Sequence, residues 1–82
     1  MTPILFFGPV SDRFGPRREL VLPPEGLTVG ALRRRLADED SAGPEALFGP
    51  GVRIAVDQAL ADDDTLIRPG QEVAVMSPFS GG

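Results

Sequence analysis

The sequence has no cysteine, no histidine and no lysine, all eight of its basic residues being arginine. Without cysteine there are no disulfides, thiolate metal sites or nucleophilic thiols, and cysteine usage gives no clue to redox compartment. Without lysine there is no P-loop lysine, no Schiff base and no side-chain amine acceptor. Catalysis by this chain alone is therefore not expected. No apolar run approaches the roughly 20 residues that span a bilayer, and the amino terminus lacks the charged region, apolar core and cleavage site of a secretory signal. A cytoplasmic protein without membrane contact is the expectation. The net charge of -4 argues against nucleic-acid binding and favours a basic partner surface. With 82 residues the chain makes one domain of marginal stability, roughly a few kcal/mol, too small for a large internal pocket.

What the sequence does have is concentrated at its end. Glu72-Val-Ala-Val-Met76 is a strand-like apolar run, and it leads through Ser77, Pro78, Phe79 and Ser80 to Gly81-Gly82 with no charged trailer. The residues from Ser77 to Gly82 span about 20 Å when extended at roughly 3.3 Å per residue, enough to carry a carboxylate from a domain surface into another protein's active site. Two glycines fit a slot that admits only backbone, whereas by themselves they also fit a frayed tail. Phe79 is the only large side chain in this narrow stretch. It either anchors the tail in a partner or folds back on the domain, and Pro78, which stiffens itself and Ser77, favours insertion. On the anchoring reading, Phe79→Ala leaves thermal stability nearly unchanged and weakens partner binding by at least about tenfold.

Along the rest of the chain, Ile4 to Phe7 reads as a strand closed by Gly8-Pro9. Adjacent strand residues face opposite ways, which places Phe6 in the core and Phe7 on a partner face. Ser11 to Gly15 reads as one helical turn with Ser11 as cap and Gly15 as stop, and Phe14 plugs the core edge. Leu20-Val-Leu22 reads as a second, antiparallel strand halted by Pro23-Pro24. Thr28 is a good helix cap, and Val29, Leu32 and Leu36 form one apolar stripe behind it. Arg33, Arg34 and Arg35 spread around that helix as a solvated face rather than converging on a phosphate. Asp38 to Asp40 suits the helix dipole poorly, so fraying is expected there.

Pro44 to Phe48 reads as a further helical turn with Leu47 and Phe48 inward. Val52, Ile54 and Val56 alternate as one face of a strand, Asp57-Gln58 makes a tight turn, and Ala59-Leu60 begins a return strand. Asp62 to Asp64 lacks the ligand spacing of a calcium loop and reads as solvated or capping. Arg68-Pro69-Gly70-Gln71 is a type II turn into the final strand. This order fits an α+β domain with one main helix packed across one face of a mixed sheet, residues 1–76, followed by an extended tail, residues 77–82. Residues 4–7 and 73–76 are apolar on both faces and so read as central strands. One helix covers one face, and the other is left with an apolar patch that points to docking.

The run of Leu5-Phe-Phe7, Thr28-Val29 with Leu32 and Leu36, the turn after Ala55-Val56, Pro69-Gly70-Gln-Glu72-Val73 and the closing Gly81-Gly82 resembles the small, sulfur-carrying subunit of molybdopterin synthase. The resemblance covers nearly the whole chain and is weakest through residues 38–51. It implies the ubiquitin-like β-grasp fold. Two departures from the family habit stand out. Asp57 stands where asparagine is usual, and Met76-Ser77 stands where an aromatic or aliphatic residue is commonly followed by proline.

The resemblance also implies a chemistry. An E1-like adenylyltransferase, using ATP with a metal ion, would adenylate the Gly82 carboxylate, and a delivered sulfur would leave a thiocarboxylate there. Gly81 would keep the tail narrow. The chain itself would bind no cofactor. In a heterotetramer with two copies of the large synthase subunit, the sulfur would pass to cyclic pyranopterin monophosphate. Phe7, Met76, Pro78 and Phe79 are the expected partner-binding residues. Two other readings stay open. One is a carrier serving thiamine, cysteine or tRNA thiolation, or a protein modifier; the other is a β-grasp interaction module with an inert tail.

Overall fold

The structure, a computed structural model, describes residues 1–39 and 41–78. Strand β1, Thr2–Phe7, alternates buried and half-exposed residues and ends at Gly8, whose φ of 87° turns the chain into helix α1, Val10–Phe14. Strand β2, Arg17–Leu20, runs back antiparallel to β1, with Thr2 opposite Leu20 and Leu5 opposite Arg17. This corrects the expected second strand at 20–22. Since Leu20 already faces Thr2, almost no β1 residue remains to pair with Val21 and Leu22, and Leu22 instead drops into the core. The expected cap of α1 is also corrected. The cap lies two residues earlier, at Pro9, and the Ser11 hydroxyl donates to the Gly8 carbonyl.

Strand β3, Leu27–Thr28, precedes helix α2, Val29–Ala37, and pairs with β6, Leu66–Ile67, in a small second sheet that the sequence pattern did not reveal. Thr28 caps α2 by accepting from the Ala31 amide at 3.1 Å, and Val29, Leu32 and Leu36 are all buried. Beyond Ala37 the described residues form a hydrogen-bonded turn. The Asp38 and Glu39 amides donate to Arg34 and Leu36 carbonyls, and the Glu39 carboxylate accepts from Arg18 at 2.6 Å. Asp40 lies outside the described residues.

Helix α3, Gly43–Phe48, buries Leu47 but leaves Phe48 42% exposed, correcting its inward placement. The Arg33 and Arg34 guanidiniums lie 5.2 and 5.5 Å from that ring, which keeps one side of it covered by cations. Arg33 is accordingly not part of a solvated face. It is half-buried and pairs with Asp63 at 3.1 Å. The neighbouring Asp62 Oδ1 accepts from the Asp64 amide and the Thr65 hydroxyl, the capping role expected of this acidic run.

Strands β4, Arg53–Val56, and β5, Ala59–Ala61, form a hairpin whose turn residues Asp57 and Gln58 both have positive φ, 49° and 70°, as a primed two-residue turn requires. Asp57 also ties this turn to the chain before the last strand. Its carboxylate accepts from the Glu72 amide at 3.0 Å and from the Gln71 side-chain amide at 2.9 Å. Asp57→Ala should therefore lower stability by about 2 kcal/mol, from lost hydrogen bonds and a strained φ. Asp57→Asn, which tolerates this φ and keeps one acceptor, should lose less than half as much. Equal denaturation midpoints for the two variants would show that the carboxylate does not tie the turn.

Strand β7, Val73–Met76, enters through the Arg68–Gln71 turn, where Gly70 has φ 92° and the Gln71 amide donates to the Arg68 carbonyl. It pairs parallel with β1 and antiparallel with β4, giving the main sheet the order β2-β1-β7-β4-β5. The last strand is thus the middle one. Ile4, Phe6, Val73, Val75, Ile54 and Val56 point to the face covered by α2 and close the core there. The architecture is the α+β, mixed-sheet arrangement expected, and no helix among the described residues is long and apolar enough to cross a membrane.

Candidate functional site

The same alternation that buries Ile4, Phe6, Val73 and Val75 turns Leu5, Phe7, Ala74 and Met76 to the face that no helix covers. Strand register then assembles them. Leu5 lies beside Ala74 and Phe7 beside Met76, while across β4 Ala74 faces Ala55 and Met76 faces Arg53. Leu60 of β5 continues the row opposite Ala55. The result is an apolar band across four strands, flat at its centre because two alanines occupy it, with Phe7 51% and Leu60 72% exposed. Guanidiniums border it at both ends. Arg17 stands beside Leu5 and is paired with Glu19 at 2.9 Å, and exposed Arg53 stands beside Met76.

The chain leaves this band at Ser77, next to Met76. The Ser77 amide donates to the Phe7 carbonyl at 3.0 Å, prolonging the parallel β1/β7 ladder by one step, and the Ser77 hydroxyl accepts from the Val10 amide at 2.9 Å. That hydroxyl provides the side-chain cap that α1 lacks at its own N-cap. Gly8 and Gly51 make room for the tail root. A Cβ on Gly8 would stand 2.1 Å from the Ser77 carbonyl oxygen, and one on Gly51 would stand 2.9 Å from Pro78 Cγ.

Of the residues singled out from sequence, the structure brings Phe7 and Met76 together on the open face and puts exposed Pro78 against Gly51 at its edge. Phe79, Gly81 and Gly82 lie outside the described residues. Leu60 and Arg53 joined the band without being anticipated, although alternation in β4 places Arg53 opposite in facing to Ile54. The cap made by Ser77 has no signal in the sequence, because it joins residues 67 apart. Among the described residues no group of three or more acidic side chains is arranged to hold a metal ion. Among the described residues, the local chemistry is that of an open apolar sheet face beside Ser77 and Pro78, with no assembled nucleophile and base.

The sequence profile of the ThiS family matches residues 4–82. No curated protein matches the chain. Among solved structures, the crystal structure of SAMP1 from Haloferax volcanii has a TM-score of 0.68 at 20% sequence identity, covering 99% of this chain and 98% of that one. This likeness is one of fold, the ubiquitin-like β-grasp.

Proposed function

The chain belongs to the ThiS family of ubiquitin-like sulfur carriers, and from that premise we propose that it carries sulfur as a thiocarboxylate on Gly82 for the molybdopterin synthase reaction. The observation carrying the reading is that the family match extends through Gly82, so the diglycine lies within the matched region rather than appended to it. The last described strand, β7, is also the central strand of the main sheet.

The Gly82 carboxylate is ionised at neutral pH, as an ordinary carboxylate is, and is a competent nucleophile toward the α-phosphate of ATP. An E1-like adenylyltransferase supplies the metal and positive charge, pyrophosphate leaves, and an acyl-adenylate forms. Sulfur from a donor then attacks the acyl carbon and AMP departs with the electron pair of the broken C–O bond. The large synthase subunit accepts the thiocarboxylate, whose sulfur bonds to cyclic pyranopterin monophosphate, and water then attacks the acyl carbon, breaking the acyl C–S bond so that the sulfur stays on the pterin and Gly82 returns as a carboxylate. Phe7, Met76, Pro78 and Phe79 supply the docking contacts. The Leu5-Phe-Phe7 opening and the segment forming α3 favour this destination over that of the shorter thiamine-type carriers.

Intact mass tests the chemistry. After incubation with an E1-like adenylyltransferase, MgATP and a sulfur donor, the protein should gain about 16 Da as one carboxylate oxygen becomes sulfur. Addition of the large subunit and cyclic pyranopterin monophosphate should reverse the gain and yield a dithiolene-bearing product. No gain would leave the interaction-module reading. A gain reversed only by another acceptor would keep the carrier and overturn the destination.

Gly81→Ala adds the second test. It should fold normally yet lose thiocarboxylate formation or sulfur transfer, because a methyl group does not fit a backbone-wide slot and restricts φ. Unchanged formation and transfer in the variant would remove the slot from the argument.

A further inference from the structure

We propose that the open sheet face is a polarised docking surface that takes its partner in one orientation: a protein face with an apolar centre, a carboxylate opposite Arg53 and a cation opposite Glu72. The proposal rests on the carrier reading above, but not on the destination of the sulfur. Register sets the two charges at opposite ends of the apolar band. Arg53 lies beside Met76, at the end where Ser77 follows, whereas Glu72 precedes β7 at the other end and accepts through its carbonyl from the Asp57 amide at 2.8 Å. Alternation gives Glu72 the facing opposite to buried Val73, which is that of Ala74 and Met76. Four residue steps from Glu72 to Met76 span about 13 Å at roughly 3.3 Å per residue. That exceeds the Debye length of about 8 Å at physiological salt, so the two charges do not neutralise each other.

Neither charge is satisfied within the fold. Among the described residues the Arg53 guanidinium makes no ion pair and donates only to the adjacent Val52 carbonyl, at 3.3 Å. The two carboxylates that share a cleft with it are engaged elsewhere: Asp63 pairs with Arg33 at 3.1 Å, and Asp62 accepts from the Asp64 amide and the Thr65 hydroxyl. At the other end, Asp57 holds its turn through both carboxylate oxygens, while the Glu72 carboxylate makes no ion pair among the described residues. Arg17 and Glu19, on the β2 border, neutralise each other and add no polarity. Between the free charges the face is apolar and flat, so apolar contact supplies affinity without direction. The charges supply the direction. A partner turned half a rotation would set its carboxylate against Glu72 and its cation against Arg53, a placement that like-charge repulsion disfavours. In the permitted orientation the Ser77 end of β7 meets the same part of the partner at every encounter.

Initial rates of pyrophosphate release by an E1-like adenylyltransferase with MgATP, followed against the concentration of this protein, read docking as KM and chemistry as kcat. At about 0.05 M salt, Arg53→Glu and Glu72→Arg should each raise KM about tenfold with kcat within about twofold of native, and at about 0.5 M salt the rise should shrink to about twofold. The double exchange Arg53→Glu with Glu72→Arg keeps the net charge of -4 but reverses the polarity, and should raise KM at least as far as either single variant. Arg34→Glu changes the net charge as Arg53→Glu does, but on helix α2 away from the open face, and should leave KM within about twofold of native. Arg53→Gln and Glu72→Gln, which lose the charge without reversing it, should raise KM about threefold and carry the test where a reversed charge disturbs the fold.

A native KM for the double exchange would overturn the polarity, and so would equal losses for Arg34→Glu and Arg53→Glu, which would leave net charge as the whole effect. Native protein that releases no pyrophosphate would remove the carrier reading and this proposal with it. Native turnover with indifferent variants would remove the polarity alone.

Discussion

Phe6→Ala is expected to cost about 3–5 kcal/mol, the range for emptying a buried aromatic site. A chain of this size has only roughly a few kcal/mol to lose, so the variant should be substantially unfolded at room temperature. Phe6 is 3% exposed, and its ring stacks on Phe14 at 5.3 Å between centroids and 15° between planes. Phe14 in turn lies under the Arg18 guanidinium at 6.0 Å, and Arg18 is paired with Glu39 just after α2. Removing Phe6 therefore leaves a cavity under β1 and loosens the contact through which β2 and the end of α2 are joined. Its neighbour Phe7 points the other way and is half exposed. Phe7→Ala should leave the urea midpoint close to that of the native protein while weakening complex formation. If Phe7→Ala destabilises as much as Phe6→Ala, the open face is not a free docking surface but part of what holds the fold.

This pair of phenylalanines shows which information the sequence carried. Facing on β4 follows from the period of two in Val52, Ile54 and Val56, and the capped helix at Thr28 follows from the spacing of Val29, Leu32 and Leu36, whereas Ile4 to Phe7 and Val73 to Met76 are apolar without alternation and show only that neighbours such as Phe6 and Phe7 face opposite ways. The misplaced features share a different cause. Leu20-Val-Leu22 has strand composition, but its pairing is decided by where β1 begins, and Leu20 already reaches Thr2. Phe48 has core composition, but Arg33 and Arg34, more than a dozen residues away, cover its ring at the surface. The two-residue strands β3 and β6 are too short to carry any period, and they pair across 38 residues of chain, from Thr28 to Leu66. Of the apolar band of the candidate site, Phe7 and Met76 were legible, while Leu5 and Ala74 were not, because their strands are apolar on both faces. The width of the band was not legible either, because Ala55, Leu60 and Arg53 are brought alongside only by register.

The second large effect is expected at Gly8, where Gly8→Ala should cost about 3 kcal/mol or more, combining left-handed strain with a steric clash. Strain and clash are separable here because Gly70 offers the strain alone. The two glycines have φ of 87° and 92°, but a Cβ at Gly70 would meet nothing within 4 Å, whereas one at Gly8 would sit 2.1 Å from the Ser77 carbonyl oxygen. Gly70→Ala should therefore cost only about 1 kcal/mol. The partner of the clash is backbone, which does not rotate away as a side chain would, so the tail root must move and with it the bonds from Ser77 to Phe7 and Val10. Where Gly8→Ala still folds, it should show a displaced tail root, read as lost protection of the Val10 amide. Its thiocarboxylate formation should fall in step, whereas Gly70→Ala should be activated at the native rate. Equal melting losses at the two glycines would mean that the Gly8 approach relaxes freely. A Gly8→Ala protein activated at the native rate would mean that the tail reaches its partner whatever the geometry of its root.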